Sequence, residues 1–401
     1  MLIQSWRWFG PDDPVSLEQV IQTGARSVVS ALHRIPAGEC WKTDEIRKRK
    51  EVIQSSGIEW GVVESVPVHE DIKTRSGGYK KYIENFKETL RNLGSEQVHT
   101  VCYNFMPALD WSRTRLHSRR PDGSELSSFN QVHFAAIDLY LLGRPDAEKS
   151  YTEEVTRKAH EFHASLSTTE KEELLATFLL GFPGSGETFS VREVLERIGA
   201  YRGIGKHEYQ EHLSMFLREI VPVAEESGVM LAIHPDDPPW SLLGLPRAVS
   251  TLEDTEKIIG ATDSPVNGIP FCTGSFGAAP ANDLPAMAKR LAHRIHFLHL
   301  RNVSRDSHSN FQETNLFEGD VDIFSIMRTM VEEDIRRENE LPGYRGIPVR
   351  PDHGARILGD LQNSYYPGYS LYGRMKNLAE IRGMEAGIRR SIRLTSQNTP
   401  Y

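Results

Sequence analysis

The feature that most constrains the fold of this chain is a series of eight short apolar runs separated by segments with helical periodicity. Runs rich in Val, Ile and aromatic residues that alternate with helical segments are typical of parallel β/α units. Eight such units close into a barrel, so the sequence predicts a single-domain α/β protein, a (β/α)8 TIM barrel over residues 1–401. The runs cover residues 3–9, 27–32, 59–64, 98–105, 229–234, 268–273, 294–301 and 347–352.

The interval between the fourth and fifth runs is much longer than an ordinary loop of a barrel. It spans roughly 120 residues with helical periodicity, whereas βα loops usually have only a few residues. We therefore predict an inserted helical subdomain over residues 110–225. Such an insertion would cap the site or build a contact in a homo-oligomer, and we expect a dimer.

The net charge and the cysteine content indicate which binding partners and which cellular compartment to expect. The formal net charge of -8 gives no long-range attraction for nucleic acid or for an anionic membrane surface. The cysteines Cys40, Cys102 and Cys272 are an odd and widely spaced set, which favours a reducing compartment over a disulfide framework. The N-terminus has an early Arg7 and lacks the apolar stretch of a signal peptide, so we expect a cytoplasmic protein.

Residues that can bind a metal end the last four predicted strands. They are His234, Cys272, His299 and Asp352, one for each strand. The carboxyl ends of barrel strands meet at one face, where the active sites of such barrels lie. Two imidazoles, a thiolate and a carboxylate can hold a first-row divalent ion and leave positions for a chelating substrate, and Zn²⁺ would also suit these ligands.

Each of these four residues also has an ordinary explanation. A histidine at a strand end is often a hydrogen-bonded core residue, and a single cysteine is often a small buried apolar side chain. Asp352 could cap a helix or form a salt bridge. Four residues that can bind a metal, at four successive strand ends, are a much less ordinary coincidence, and they favour a site for one divalent metal ion.

Two arginines are predicted to share the face of the metal ligands. Arg301 lies two residues after His299, and Arg350 lies two residues before Asp352, and alternate residues of a strand face the same side. A guanidinium group beside a metal is suited to holding a carboxylate through two hydrogen bonds. The pattern therefore indicates an anionic substrate.

Four further side chains lie at the ends of the first four predicted strands. They are Trp8, His33, Glu64 and Asn104, each within one residue of the end of its run. Aromatic, imidazole and amide groups suit the hydroxyls of a sugar, and Trp8, His33 and Asn104 are candidates for substrate binding. The same residues could equally be barrel packing.

With these residues in view, the chain resembles the mannonate dehydratases, which convert D-mannonate to 2-keto-3-deoxy-D-gluconate and water. The resemblance runs through many motifs in order rather than through one. They are WRWFGPDDPVSL, VVSALHRIP, VVESVPVHEDIKT, TVCYNFMPALDW, LAIHPDDPP, GLPRAVST, CTGSFG, HLRNV, EGDVD, RPDHG and YPGYS.

The resemblance implies a xylose-isomerase-like barrel that uses one Mn²⁺ or Fe²⁺ per chain. The ligands that it implies are the same four strand-end residues. It also implies that His353 and Tyr369 serve as acid and base, in an order left open, and that Arg350 contacts the substrate. The likeness is weaker at His33, because Arg34 follows it in place of a second histidine.

Two alternatives remain at this point. An aldose isomerase or epimerase on the same barrel would also bind a metal and a sugar, although a cysteine ligand and two arginines favour one metal and an acid substrate. A sugar-acid-binding protein without catalysis would bind tightly without turnover and would close its metal shell. Release of a 2-keto-3-deoxy acid from mannonate separates both from a dehydratase.

Overall fold

The computed structural model describes residues 1–182, 189–306 and 308–397. Each of the eight predicted runs overlaps one strand of the barrel, and four further strands lie outside the barrel. The described residues form twelve strands: β1 Ile3–Arg7, β2 Ser27–Ser30, β3 Glu59–Glu64, β4 Thr100–Tyr103, β5 Arg115–Arg119, β6 Glu125–Phe129, β7 Met230–Ile233, β8 Asn267–Cys272, β9 Ile295–Leu300, β10 Asn302–Arg305, β11 Phe311–Thr314 and β12 Pro348–Pro351.

Eight of the strands form a closed barrel in the order β1-β12-β9-β8-β7-β4-β3-β2. Each neighbouring pair is parallel. The predicted (β/α)8 barrel is thereby confirmed. The first strand ends two residues earlier than predicted, at Arg7 rather than Phe9, so that Arg7 and not Trp8 lies at its carboxyl end.

The interior of the barrel is packed with apolar side chains. Val29, Val62, Cys102, Ala232 and Phe297 form one fully buried cluster, contributed by five barrel strands. Side chains rather than solvent fill a barrel of this size. The cluster therefore makes an apolar floor, and polar groups at the carboxyl ends of the strands lie above it.

Helices surround the barrel and fill the connections. The α-helices are α1 Leu17–Gln22, α2 Thr43–Ser55, α3 Glu70–Thr74, α4 Tyr79–Ser95, α5 Gln131–Ala136, α6 Glu153–Ser165, α7 Thr168–Leu179, α8 Val191–Gly199, α9 Lys206–Glu226, α10 Leu252–Gly260, α11 Thr273–Gly277, α12 Leu284–Leu291, α13 Ile323–Glu340 and α14 Leu371–Gln397. A π-helical turn, Ile137–Leu142, continues α5, and 3₁₀ turns lie at Ala147–Ser150, Ala292–Arg294 and Leu358–Gln362.

Helix α4 illustrates how the sequence specifies the outer layer. Its buried residues Ile83, Phe86, Leu90 and Leu93 recur every three or four positions, which places them on one face. Gly94 lies within this helix, and a Cβ there would come within 2.3 Å of the Ser227 carbonyl oxygen. The glycine therefore permits a close approach of the chain that leads into β7.

The connection between β4 and β7 differs from a purely helical insertion. Strands β5 and β6 form a hairpin, and β6 pairs with β11, so that these strands join β10 in an antiparallel sheet ordered β10-β11-β6-β5. Helix α9 packs against α4 and β7 and belongs to the helix layer of the barrel, although residues 110–225 include most of it. The insertion as a separate subdomain stays a prediction.

Within the three described ranges, no helix combines sufficient length with sufficient apolar character to span a bilayer.

The last helix is fastened to the first strand at the amino end of the barrel. Glu385 of α14 accepts hydrogen bonds from the Leu2 backbone amide at 2.9 Å and from Gln4 Nε2 at 3.1 Å. Arg389 donates to the same carboxylate at 2.9 Å. Glu385 is only 6% exposed, so these donors have little access to replacement water.

We expect Glu385→Ala to lower the free energy of unfolding by about 3 kcal/mol, because it leaves the buried Leu2 amide and Gln4 side chain without their acceptor and removes one of the carboxylate partners of Arg389. As a control, Glu332→Ala removes an exposed carboxylate that pairs with Arg328 on α13, and should cost less than about 0.5 kcal/mol. Urea denaturation of both variants measures the difference. Equal losses would show that the contact does not fasten the barrel.

Candidate metal centre and active site

The four predicted ligands come together at the carboxyl ends of adjacent barrel strands. His234 follows β7, Cys272 is the last residue of β8, His299 is the fifth of the six residues of β9, and Asp352 follows β12. Cys272, His299 and Asp352 are buried, and His234 is partly exposed. The strand ends therefore bring four distant parts of the sequence to one place.

The spacing of the donor atoms fits a shared ion. Donor atoms of His234, Cys272 and His299 all lie within 4.8 Å of one another, and His234 Nε2 is 3.2 Å from His299 Nδ1. Asp352 lies beside this group, with Oδ2 3.5 Å from Cys272 Sγ and Oδ1 3.7 Å from His299 Nδ1. Metal–nitrogen and metal–sulfur bonds of about 2.0–2.3 Å require donor separations of this order.

The surroundings of the two histidines suit metal binding. His234 Nδ1 lies 2.7 Å from the Pro235 carbonyl oxygen, which orients the ring and leaves Nε2 facing the site. Burial and the nearby Arg350 hold the pKa of His299 well below its ordinary value, so this imidazole is neutral. Neutral imidazole is the form that coordinates a cation.

The carboxylate and the thiol are in opposite protonation states. Burial disfavours a charge on Asp352, but Arg301 and Arg350 outweigh it and hold the pKa of this carboxyl well below its usual range. Burial, and then Asp352, raise the pKa of Cys272 to about 12. The sulfur is therefore a thiol in the protein alone, and a bound cation would be needed to stabilise the thiolate.

A second group of possible ligands overlaps the first. Glu64, Cys102 and His299 also have donor atoms within 4.8 Å of one another. Glu64 is already held by Arg350 through two hydrogen bonds of 2.8 and 3.1 Å, and Cys102 belongs to the apolar floor. The pKa of Cys102 is raised well above that of an ordinary thiol, chiefly by burial. These surroundings favour the first group.

The two predicted substrate-binding arginines are engaged by carboxylates of the protein. Arg301 lies 2.7 Å from Asp237, 2.8 Å from Glu313 and 3.1 Å from Asp352. Arg350 pairs with Glu64 and lies 2.9 Å from Asp352 Oδ1. These contacts favour a role in holding Asp352 ionised over direct capture of a substrate.

Further buried charges extend this arrangement. Arg113 contacts Asp237 at 2.9 Å and Glu313 at 3.0 Å. We refer to the seven interlinked residues as the mouth network: Glu64, Arg113, Asp237, Arg301, Glu313, Arg350 and Asp352.

Three members of the mouth network were missed by the sequence analysis. Asp237 lies three residues after His234 in a quoted motif, so a search beyond the strand end would have found it. Arg113 precedes the hairpin, and Glu313 lies on β11 of the small sheet. Their meeting depends on the pairing of β6 with β11, which strand alternation in the barrel does not predict.

His353 and Tyr369, predicted as acid and base, lie side by side at the mouth, with ring centroids 5.3 Å apart. His353 Nδ1 is 2.9 Å from Glu313 Oε1, which orients the imidazole. Gly368 makes this packing possible: its φ is +83°, and a Cβ there would lie 2.8 Å from the His353 ring.

The remaining predicted substrate residues lie around the same mouth in different settings. Trp8 is 3% exposed and packs in the hydrophobic core, with the Arg49 guanidinium 5.5 Å above its ring. His33 is exposed and lies 5.6 Å from the Phe9 ring. Asn104 is partly buried directly after β4. Their roles in substrate binding stay predictions.

Comparison with known proteins shows the family of this chain. A family profile described as D-mannonate dehydratase (UxuA) matches residues 2–395. The chain belongs to the D-mannonate dehydratase family.

Individual relatives agree with this assignment. The mannonate dehydratase of Marinomonas sp. (strain MWYL1) is 49% identical over 390 residues, which cover 97% of this chain and 99% of that protein. The crystal structure of mannonate dehydratase from Streptococcus suis serotype 2 matches with a TM-score of 0.77 and 32% identity, covering 100% of this chain and 96% of that chain.

A more distant match concerns the fold alone. A xylose isomerase-like TIM barrel protein from Mycobacterium smegmatis has a TM-score of 0.50 at 14% identity, covering 96% of this chain and 97% of that chain.

The comparisons confirm the resemblance drawn from the motifs and the xylose-isomerase-like barrel that it implied. As a D-mannonate dehydratase family member, the chain is an enzyme of the hydro-lyase class. The assignments of individual side chains to metal, substrate and proton transfer stay predictions.

A pair of cysteine variants separates the two overlapping ligand groups. We expect Cys272→Ala to weaken Mn²⁺ binding by more than about 100-fold, since even changes to partners of metal ligands cost about 10- to 100-fold. Cys102→Ala should leave Mn²⁺ affinity close to that of the unmodified protein, because its sulfur belongs to the apolar floor. Calorimetric titration of chelator-treated protein measures both. The reverse ranking would assign the ion to the second group.

Proposed function

We propose that this protein dehydrates D-mannonate to 2-keto-3-deoxy-D-gluconate and water with one Mn²⁺ or Fe²⁺ bound by His234, Cys272, His299 and Asp352. The observation that carries the proposal is the convergence of these four donors at the barrel mouth, in a chain of the D-mannonate dehydratase family. The mixed nitrogen, sulfur and oxygen donor set suits a first-row divalent ion.

The reaction makes two demands on the site. The C2–H bond next to the carboxylate is weakly acidic, and the hydroxyl on C3 is a poor leaving group. Breaking the C2–H and C3–O bonds yields water and an enol, which becomes the 2-keto acid when C3 takes up a proton. A bound divalent ion supplies stabilisation of the negative charge that develops beside the carboxylate.

The side chains at the mouth suggest a division of the proton transfers. Glu313 can accept a hydrogen bond from His353 Nδ1, and in the neutral imidazole that makes this bond the other ring nitrogen carries the lone pair that removes the C2 proton. Burial raises the pKa of Tyr369, so the phenol keeps its proton and can donate it to the departing hydroxide. Both steps need hydrogen-bond reach to the substrate, which the adjacency of the two rings supports.

The charged residues of the mouth network have a positioning role in this proposal. Arg301 and Arg350 each contact one oxygen of Asp352, which keeps the ligand ionised and fixes its orientation. Asp237, Glu313 and Glu64 in turn fix the two arginines. A rigid arrangement of this kind keeps the donor atoms in place before an ion or a substrate binds.

Turnover of D-mannonate tests the proposal after chelation and separate addition of Mn²⁺, Fe²⁺, Mg²⁺ or Zn²⁺. We expect Mn²⁺ or Fe²⁺ to restore release of a 2-keto-3-deoxy acid. His353→Asn and Tyr369→Phe should each lower kcat by about 10²- to 10⁴-fold, the usual contribution of general acid–base catalysis.

Tyr372→Phe is a matched control, because this tyrosine is 38% exposed and lies three residues from Tyr369. It should leave kcat unchanged. Unaltered turnover in the His353 and Tyr369 variants would contradict their proposed roles. Conversion of an aldose instead of D-mannonate would favour an isomerase, and tight binding without any product would favour a non-catalytic sugar-acid-binding protein.

A further inference from the structure

Arg7 is a buried arginine whose charge has no carboxylate partner among the described residues. It is the last residue of β1 and is 8% exposed. Across residues 1–182, 189–306 and 308–397, no carboxylate lies within ion-pair distance of its guanidinium, and Nη1 is buried without a hydrogen-bond acceptor. The Phe9 ring lies beside the guanidinium, with its centroid 4.8 Å from Cζ.

This isolation contrasts with the other buried arginines of the site. Arg113, Arg301 and Arg350 each contact two or more carboxylate oxygens. Burial of a cation without a partner is costly, and proteins ordinarily avoid it. The nearby carboxylates are already engaged: Arg350 holds Glu64, and Asp13 accepts from the Phe9 and Val15 amides.

The sheet register shows which way Arg7 faces. Arg7 is paired with Val29, whose side chain belongs to the apolar floor inside the barrel. Neighbouring residues of paired parallel strands share a face, so Arg7 also faces the interior. Trp6 has the opposite orientation and lies against Arg374 of the outer helix α14, 3.9 Å from its Cζ. Arg7 therefore lies at the mouth of the barrel.

Contacts of the adjacent aromatic ring connect Arg7 with the active-site residues. The Phe9 ring packs edge-on against Tyr369 at 4.7 Å and lies 5.6 Å from His33. After burial and Arg350, the charge of Arg7 is among the influences on the pKa of both Glu64 and Tyr369. Both observations place the unpaired charge beside the residues proposed for catalysis.

We propose that Arg7 binds the carboxylate of the sugar-acid substrate. The inference rests on the proposed function and deepens it by assigning the anion to a residue other than Arg301 and Arg350, which already pair with carboxylates of the mouth network. A guanidinium presents two parallel N–H groups to a carboxylate, which fixes the orientation of C2 as well as supplying charge. A neutral sugar would leave the buried cation unpaired, so Arg7 also selects for acids.

The test uses metal-reconstituted protein and measures the Kd for D-mannonate by calorimetry, together with the Tm in the absence of substrate. Arg7→Gln should raise the Kd about 10- to 100-fold, the usual value of a charged hydrogen bond. Arg7→Lys should recover part of this loss. Because the replaced charge pairs with no carboxylate of the described ranges, the Tm of Arg7→Gln should not fall.

Arg26→Gln is the matched control, because Arg26 is exposed and lies immediately before β2, at the opposite end of the barrel. Arg26→Gln should change neither the Kd for D-mannonate nor the Tm. A Kd for Arg7→Gln within about threefold of the unmodified protein, the size of an ordinary surface effect, would overturn the inference. A fall in Tm together with loss of bound metal would overturn it too, since Arg7 would then be structural.

Product formation by the unmodified protein separates this inference from the proposed function. Turnover of D-mannonate with an unchanged Kd in Arg7→Gln would refute the inference alone. Binding without product would refute the dehydratase proposal, and the Kd of the variant would still decide the role of Arg7. Absence of both binding and turnover would refute both.

Discussion

The interaction on which the site depends is the pairing of one buried carboxylate with two arginines. Arg301 and Arg350 each contact one oxygen of Asp352, and without them burial would favour a neutral acid. Each arginine is also joined to a second carboxylate, so the three side chains cannot move independently. Removing one member of such a buried pair typically destabilises a protein by about 3–5 kcal/mol, so the pairing strongly favours a single arrangement of the three side chains.

The balance of charge explains why this arrangement suits an anionic substrate. The mouth network contains four carboxylates and three arginines and so has one net negative charge, which Arg7 offsets. A divalent ion with the Cys272 thiolate would add one positive charge, which a single carboxylate on the substrate would neutralise. Low-dielectric surroundings penalise any uncompensated charge, so the site is electrostatically complete only with an acid bound.

The sequence predicted the fold and the four candidate ligands, because both follow from local patterns. The period of the apolar runs identifies strands, and the convergence of strand ends in a barrel then brings His234, Cys272, His299 and Asp352 together. The complete mouth network was not predictable in this way. Arg113 and Glu313 meet only because strand β6 of the hairpin pairs with β11, which lies far away in the sequence. Arg7 was missed because the first strand was predicted two residues too long, which gave Trp8 the place at the strand end.

Anomalous diffraction from crystals of the protein grown with Mn²⁺ would test the central claim most directly. The account predicts one strong peak at the manganese edge, within about 2.0–2.4 Å of one donor atom from each of His234, Cys272, His299 and Asp352. A peak bound instead by Glu64 and Cys102, or a site that stays empty at saturating Mn²⁺, would contradict it.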